Sequence, residues 1–435
     1  MLDLAFIREH PDIVKRAATA KRVDVDVDRL LELDGKRREL QREKDAWGQK
    51  KNESAKSFSK EHDARDEGRA IKERLAELET AFRAVDGELH TLLGRVPNIP
   101  SQDTPEGADA SQNQTLRTVG EPPQFSFTPK EHWELGEPLG LDSTRAAQVS
   151  GSRFVYLKGD LALLEFALIT HAFSVLTNST ILEDIRTRAN LSVLGSPFTP
   201  VVPPALIKPD VFERMARLDP REERYHIERD DLFLVGSAEH TLGPLHMDET
   251  LPEEALPRRY VGFSSAFRRE AGSHGKDVHG MLRVHQFDKV EMESFTVAEQ
   301  AIAEQEFFVA IQEHMMQSLE LPYRVVLLCM GEMGGPDARQ IDIETWFPGQ
   351  DRYRETHSAD YMSDYQARRL RTKVRRASGA TEFVHMNDAT AFAIGRTIAA
   401  LLEVHQQQDG TVRIPAALQP YMGGRTTFQP LDAWR

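Results

Sequence analysis

FRREAGSHGKDVHGMLRVHQFDKVE, residues 267–291, sets an Arg-x-Glu (Arg268 and Glu270) ahead of a loop containing glycine and histidine. Beyond the loop, Leu282, Val284, Phe287 and Val290 alternate as on a β-strand, which leads to Glu291. The pattern predicts two antiparallel strands joined across the loop and able to hold a nucleotide. Arg268 offers a planar fork of donors that suits a phosphate better than a lysine would. Glu270 can accept from the amino group of a base, and Phe287 can stack on its ring.

A chain of 435 residues is too long for one simple core and implies two or three domains. With 40% hydrophobic and 29% charged residues the composition is that of a globular protein. The N-terminus, MLDLAFIREHPDIVKRA, mixes charged and apolar residues at helical spacing and lacks the apolar core of a signal peptide. No later stretch reaches membrane-spanning length, so no membrane partner is expected. The single cysteine, Cys329, allows no disulfide within the chain and reads as a core residue in VVLLCMG, which fits a cytoplasmic location. Phosphate-loop and dinucleotide glycine signatures are absent, and the histidine pairs His240/His246 and His279/His285 lack zinc spacing, so no zinc is expected.

The net charge of −14 argues against indiscriminate nucleic-acid binding, but its distribution is uneven. Between Lys36 and Lys60 the cations Lys36, Arg37, Arg38, Arg42, Lys44, Lys50, Lys51, Lys56 and Lys60 face only Glu39, Glu43, Asp45 and Glu53. Farther on, Ile71, Leu75, Leu78, Phe82, Val85, Leu89 and Leu92 repeat with spacings of four and three, the seam of a long packed helix. An earlier seam, Leu30, Leu33, Leu40 and Trp47, is interrupted by Arg37, Lys44 and Lys51. The polar NESAKSFSKEHDARDEG between them is suited to a turn. The expectation is an antiparallel coiled-coil hairpin over about 27–97 with a basic tip, within an N-terminal helical arm of residues 1–100. The prolines of RVPNIP (95–100) end it, and 101–115 reads as a linker. Residues 116–435 read as an α+β domain. Its expected elements are a helix at Leu161–Leu176, extended segments at 198–207, 232–237, 258–270, 281–295, 323–330 and 340–347, and a final helix from about Ala389 to Gln406.

Ordered along the chain, RVPNIP, FTPKEHWELGEPLGL, SGSRFVYLKGDLALLEFAL, VVPPALIK, LVGSAEHTL, the 267–291 string, YRETHSADYMSDYQARR, AIGRTIAALLE and PYMGG together resemble the bacterial-type seryl-tRNA synthetases. These are class II aminoacyl-tRNA synthetases, and the likeness spans nearly the whole length. It implies an antiparallel-sheet catalytic domain with flanking helices, with Pro204 as the motif 1 proline of a homodimer interface. It further implies that serine attacks the α-phosphate of ATP to give seryl-adenylate, and that the 3′-terminal adenosine of serine tRNA then takes the seryl group; selenocysteine tRNA is a second candidate acceptor.

The resemblance carries roles onto individual residues. Arg268, Arg283 and Arg396 would supply catalytic charge, Arg268 at the α-phosphate and Arg283 toward the γ-phosphate. Glu270 would meet the adenine amino group, and Phe287 and Arg396 would enclose its ring. Glu355 and Ser358 would hold Mg2+. Ser237, Glu239, Arg268, Glu291, Asp388 and Thr390 would bind serine. Arg37, Arg38, Arg42, Lys44, Lys50 and Lys51 would grip tRNA. Departures gather at the amino-acid end. Ser237 replaces a threonine, THSADYMSD replaces the usual Ser-Ser-Cys-Ser-Asn after Arg-Glu-Ile and retains Ser358 but little around it, and Asp388 stands where asparagine is usual, with Asn387 one place earlier. A carboxylate accepts but cannot donate, so either Asp388 serves there or a shifted register brings in Asn387. The altered pocket also fits a paralogue that activates serine or a related amino acid for a non-tRNA acceptor, although the basic arm speaks against it.

Overall fold

The computed structural model describes residues 1–56, 62–270 and 279–434, in two compact units, Met1–Ile99 and Pro100–Arg435. The predicted arm cation Lys60 and most of the glycine- and histidine-containing loop after Glu270 lie outside the described residues.

In the first unit, short helices Leu4–Glu9 and Pro11–Ala20 precede α1 (Val27–Lys56) and α2 (His62–Arg95). Ion pairs Arg29–Glu88, Arg37–Asp86, Lys44–Glu79 and Glu43–Arg74 link positions that rise along α1 with positions that fall along α2, so the helices are antiparallel. Leu30 and Leu33 are buried with Ile71, Leu78, Val85 and Leu89, and at the end of α2 the buried residue is Leu93 rather than Leu92. Helix extends well into the polar stretch expected as a turn, up to Lys56 and again from His62. Its Ala, Lys, Glu and Arg residues are strong helix formers, and polarity alone does not end a helix.

The second unit is built on eight strands: β1 (Gln114–Val119), β2 (Thr199–Val201), β3 (Arg258–Phe267), β4 (Gln286–Thr296), β5 (Tyr323–Leu327), β6 (Arg339–Phe347), β7 (Arg352–Ser363) and β8 (His385–Ala393). They lie in the order β1-β5-β6-β7-β8-β4-β3-β2, and every pairing is antiparallel except β2 with β3. Helices α3 (Asp160–Leu176), α4 (Ala301–Ser318) and α5 (Ile394–Val404) share one apolar core with the sheet residues Val290, Met292, Ile341, Ile343, Ala359, Ala389 and Ala391. Neighbouring positions on these strands project to the opposite face, where the polar residues collect. Cys329 is buried, as its apolar surroundings predict.

The fold is α+β as expected, but two central strands differ from the sequence reading. Arg352–Ser363 carried no strand expectation, and residues 389–393 belong to β8 rather than to the final helix, which begins at Ile394. β8 is hydrogen-bonded to β4 on one side and β7 on the other, and that double ladder overrides the helix preference of its alanines. The motif strands are also shorter than expected, since β3 stops at Phe267 and β4 starts at Gln286. Among the described residues no single helix is long and apolar enough to cross a membrane.

One buried ion pair ties the sheet to its helical layer: Arg259 on β3 meets Glu304 on α4 through Nε–Oε1 at 2.5 Å and Nη2–Oε2 at 2.8 Å. Removing one partner strands the other charge in the interior. Glu304→Ala is expected to destabilise the second unit by about 3–5 kcal/mol, measured as a lowered midpoint in urea unfolding.

Candidate active site

A cleft of about 290 Å³ opens on the polar face of the sheet. Arg268, Glu270, Arg283, Phe287, Glu355, Ser358 and Arg396 all line it, as do Glu239 and Thr390. Ser237, Glu291 and Asp388 are buried beside it. The sheet register brings them together. Glu291 lies across from Thr390 on the β4–β8 ladder, and Glu293 across from Asp388, which also pairs with Asp360 of β7. Period-two alternation therefore turns Asp388 to the cleft side and Asn387 to the other face.

A β-bulge performs a second piece of positioning. Glu355 and Ser358 are three apart, a spacing that places side chains on opposite faces of a regular strand. The register shifts at Thr356, between the Glu344–Glu355 and Ile343–His357 pairs, and the extra residue returns both side chains to the cleft. Buried Asp342 sits across from Ser358 on β6.

At the outer end, the Arg268 guanidinium donates from Nε to the Gly236 carbonyl at 3.1 Å and lies 5.2 Å over the Phe287 ring. Arg283 pairs with Glu270 at 2.8 Å. Arg396 pairs with the Glu355 carboxylate at 2.9 Å and donates to the Leu282 carbonyl at 3.4 Å. Gly395 lies in the cleft wall, where an added Cβ would stand only 3.2 Å from the Met281 carbonyl oxygen, so the close approach of α5 to this segment favours glycine.

Two cations that sequence reasoning missed organise the inner end. Arg217 reaches Glu239 at 3.2 Å, Asp337 at 3.2 Å, Asp388 at 3.5 Å and Asp360 at 3.9 Å. Lys289 reaches Glu291 at 2.7 Å and donates to the Ser237 hydroxyl at 3.2 Å. Lys289 was readable, because it stands two residues before Glu291 on the same strand face. Arg217 stands in a loop, where no periodicity marks it.

Burial opposes ionisation of Glu239, but Arg217, with His240 and Lys289, outweighs it and holds this carboxyl well below its ordinary range. His240 accepts from the Gly236 N–H at 3.0 Å through Nδ1, which leaves its protonated Nε2 facing Glu239 at 3.4 Å. Burial pushes Glu291 up to about 7, against the pull of Lys289.

On the helical arm, Arg37 and Lys44 face the companion helix. Arg37 lies 3.7 Å from Asp86, and Lys44 pairs with Glu79 at 2.5 Å and lies 4.2 Å over the Phe82 ring. Arg38 meets buried Asp34 at 3.1 Å. Arg42, Lys50 and Lys51 are exposed, with Lys50 4.5 Å over Trp47.

Residues 224–405 match the family model of the tRNA synthetase class II core domain (G, H, P, S and T), and residues 1–100 match that of the seryl-tRNA synthetase N-terminal domain. The chain is 41% identical to the serine–tRNA ligase of Deinococcus radiodurans, over 99% of this chain and 100% of that one. It is 39% identical to the serine–tRNA ligase of Rubrobacter xylanophilus, over 97% and 98%. Its structure resembles that of the seryl-tRNA synthetase from Pyrococcus horikoshii complexed with ATP, with a TM-score of 0.88 and 34% identity over 99% of this chain and 100% of that one.

The raised Glu291 carboxyl has a consequence for stability. A group whose pKa rises from 4.5 unfolded to about 7 folded binds its proton more tightly in the native state, so its contribution is full below 4.5 and lost as pH climbs through 7. Glu291→Gln is expected to remove a downward slope in unfolding free energy of up to about 1.4 kcal/mol per pH unit across that window, measured by urea titrations at pH 5, 6 and 7.

Proposed function

From the premise that this chain belongs to the serine–tRNA ligases, a class II aminoacyl-tRNA synthetase family that joins serine to tRNA with ATP, we propose that both chemical steps run in the cleft of the second unit. The carrying observation is that one sheet face gathers Arg268, Glu270, Arg283, Phe287, Glu355, Ser358 and Arg396 around a single opening, with a buried carboxyl-rich end beside it. In the first step the serine carboxylate attacks the α-phosphorus of ATP and pyrophosphate leaves. In the second, the 3′-terminal adenosine hydroxyl of serine tRNA attacks the seryl carbonyl and AMP leaves.

Two anions must meet in the first step, so the protein's task is alignment and charge neutralisation. Arg268 stands between the two ends of the cleft and serves both the α-phosphate and the serine carboxylate. Its bond to the Gly236 carbonyl and its seat over Phe287 fix it before substrate arrives, so no reorganisation is needed at the moment of reaction. Glu270 and Arg283, assigned to the adenine amino group and the γ-phosphate, touch one another, so an ATP that engages both is folded back on itself. Phe287 and Arg396 take the adenine faces, helped by cation–π attraction.

Mg2+ fits the ATP end. Glu355 and Ser358 offer hard oxygen donors from one strand face, with Asp342 across from Ser358, a donor set that suits an oxygen-seeking ion. When bound, the ion neutralises phosphate charge.

At the amino-acid end, Glu239 and Glu291 receive the serine ammonium, while Ser237, Asp388 and Thr390 surround its hydroxyl. The arm grips tRNA chiefly through Arg38, Arg42, Lys50 and Lys51, since Arg37 and Lys44 are engaged with α2. Selenocysteine tRNA, which has the same acceptor chemistry, is a second substrate. The reaction belongs in the cytoplasm, where tRNA and ATP are both supplied. The protein works as a homodimer through the exposed apolar residues Val149, Tyr156, Phe166, Leu194, Val202 and Leu206, the last two flanking Pro204.

Two measurements test this reading. Serine-dependent exchange of pyrophosphate into ATP, with no exchange for alanine, is expected of the purified protein. Replacing Arg38, Arg42, Lys50 and Lys51 together by alanine should leave that exchange in place, lower kcat/KM for charging serine tRNA at least about tenfold and flatten its salt dependence. Charging that is unchanged by these substitutions rules out the arm as the tRNA grip. The second measurement is sedimentation: the native chain should run as a dimer and the Phe166→Asp, Val202→Asp variant as a monomer.

A further inference from the structure

The inner end of the cleft holds more carboxyls than its cations can balance. Asp388 lies fully buried on β8 between Glu293 of β4 and Asp360 of β7. Its carboxyl oxygen and those of Glu239 and Glu291 lie within 4.8 Å of one another. Asp337 joins from the loop after β5 through Arg217. Among the described residues, Arg217 and Lys289 pair directly with these six carboxyls, Lys289 being turned to Glu291, while Arg268 acts on Glu291 from the cleft. Neither side-chain oxygen of buried Glu293 has a hydrogen-bond partner among the described residues. Acids packed this closely in a low-dielectric interior cannot all ionise, so protons are retained among them.

We propose that Asp388 works as a neutral carboxylic acid, giving the serine hydroxyl one O–H donor and one carbonyl acceptor as an asparagine amide would, and that the surrounding carboxyls keep it in that form. The inference rests on the reading of this end of the cleft as the serine site, and it accounts for an aspartate where the resemblance leads asparagine to be expected. A carboxylate would offer acceptors only, whereas the protonated acid restores the donor–acceptor pair. Burial first, then Glu239, Glu291 and Asp337, pushes the Asp388 carboxyl well above the ordinary carboxylate range, against the pull of Arg217. Arg217 cannot neutralise Asp388 by itself, because Glu239 and Asp337 hold its guanidinium more closely, at 3.2 Å each, than Asp388 does at 3.5 Å. The arrangement parallels other enzymes in which a carboxylic acid is held neutral so that it can donate a hydrogen bond.

The test is infrared difference spectroscopy at neutral pH on the full-length protein, reading the carbonyl stretch of protonated carboxyls. Wild type minus Asp388→Asn should show such a band, and saturating serine should shift it. Should Asp388→Asn fail to fold, wild type labelled at its aspartate side-chain carboxyl carbons gives the same information, because the serine-sensitive band must move with the isotope. In serine-dependent pyrophosphate exchange, Asp388→Asn should also recover at least about tenfold of the rise in serine KM produced by Asp388→Leu, as a donor–acceptor replacement does and an apolar one does not. Absence of the band, a band that serine leaves in place, or an asparagine variant no better than the leucine variant overturns the inference. No exchange by the wild-type protein overturns instead the serine-site reading beneath it, while exchange without the band removes only the neutral Asp388.

Discussion

The pairing of β8 between β4 and β7 is the constraint on which the site depends. Side chains change face at every residue of a strand, so the ladders that set Glu293 and Asp360 across from Asp388 also set Thr390 across from Glu291 and send Ala389 and Ala391 into the apolar core. A slip of one residue would bury Asp388 among helices and present Asn387 to the cleft. The apolar side of the same strands forbids that slip, since Val290, Met292, Ala359 and Ala389 lie against α3, α4 and α5. Hydrophobic burial on one face thus fixes the chemistry of the other.

Within that frame the cleft divides by charge. Its outer end carries Arg268, Arg283 and Arg396, which suits a polyphosphate. Its inner end is dominated by carboxyls braced by Arg217 and Lys289, which suits an ammonium group and a short polar side chain. Arg268 lies at the boundary, which is where the proposed reaction would join the α-phosphate to the serine carboxylate. The division also explains why an acidic protein can bind a triphosphate, because local cations rather than net charge set the potential the ligand meets.

How much of this was legible in the sequence depended on whether a segment faces water, a core or a ligand. The motif hairpin was readable because Leu282 and Val284 alternate with Arg283 and His285, Phe287 and Val290 stand among polar residues, and a glycine- and histidine-containing stretch separates the two arms. The seam of α2 was readable because one apolar face of a long helix leaves a regular trace. β7 and β8 were not, because strands that are apolar on one face and polar-catalytic on the other, buried on both, carry neither the alternation of a surface strand nor the continuous apolar run of a core strand. YRETHSADYMS and HMNDATAFA look like loop and helix for that reason. Arg217 left no trace either, since a loop residue that meets four carboxyls from separate elements owes its role to tertiary geometry alone.

The bulge at Thr356 has a consequence for how such a site can diverge. It is a one-residue phase shift in β7, which lets one strand present Glu355, Ser358 and Asp360 together on the cleft face. Gaining or losing a residue within this strand would reverse the facing of everything on one side of the shift and disconnect the two substrates. Lineages that inherit this scaffold are therefore confined to exchanges in place, altering charge and protonation at fixed addresses while the length of the strand stays frozen. An aspartate at position 388, set among the carboxyls of the neighbouring strands, is the kind of change that confinement leaves open.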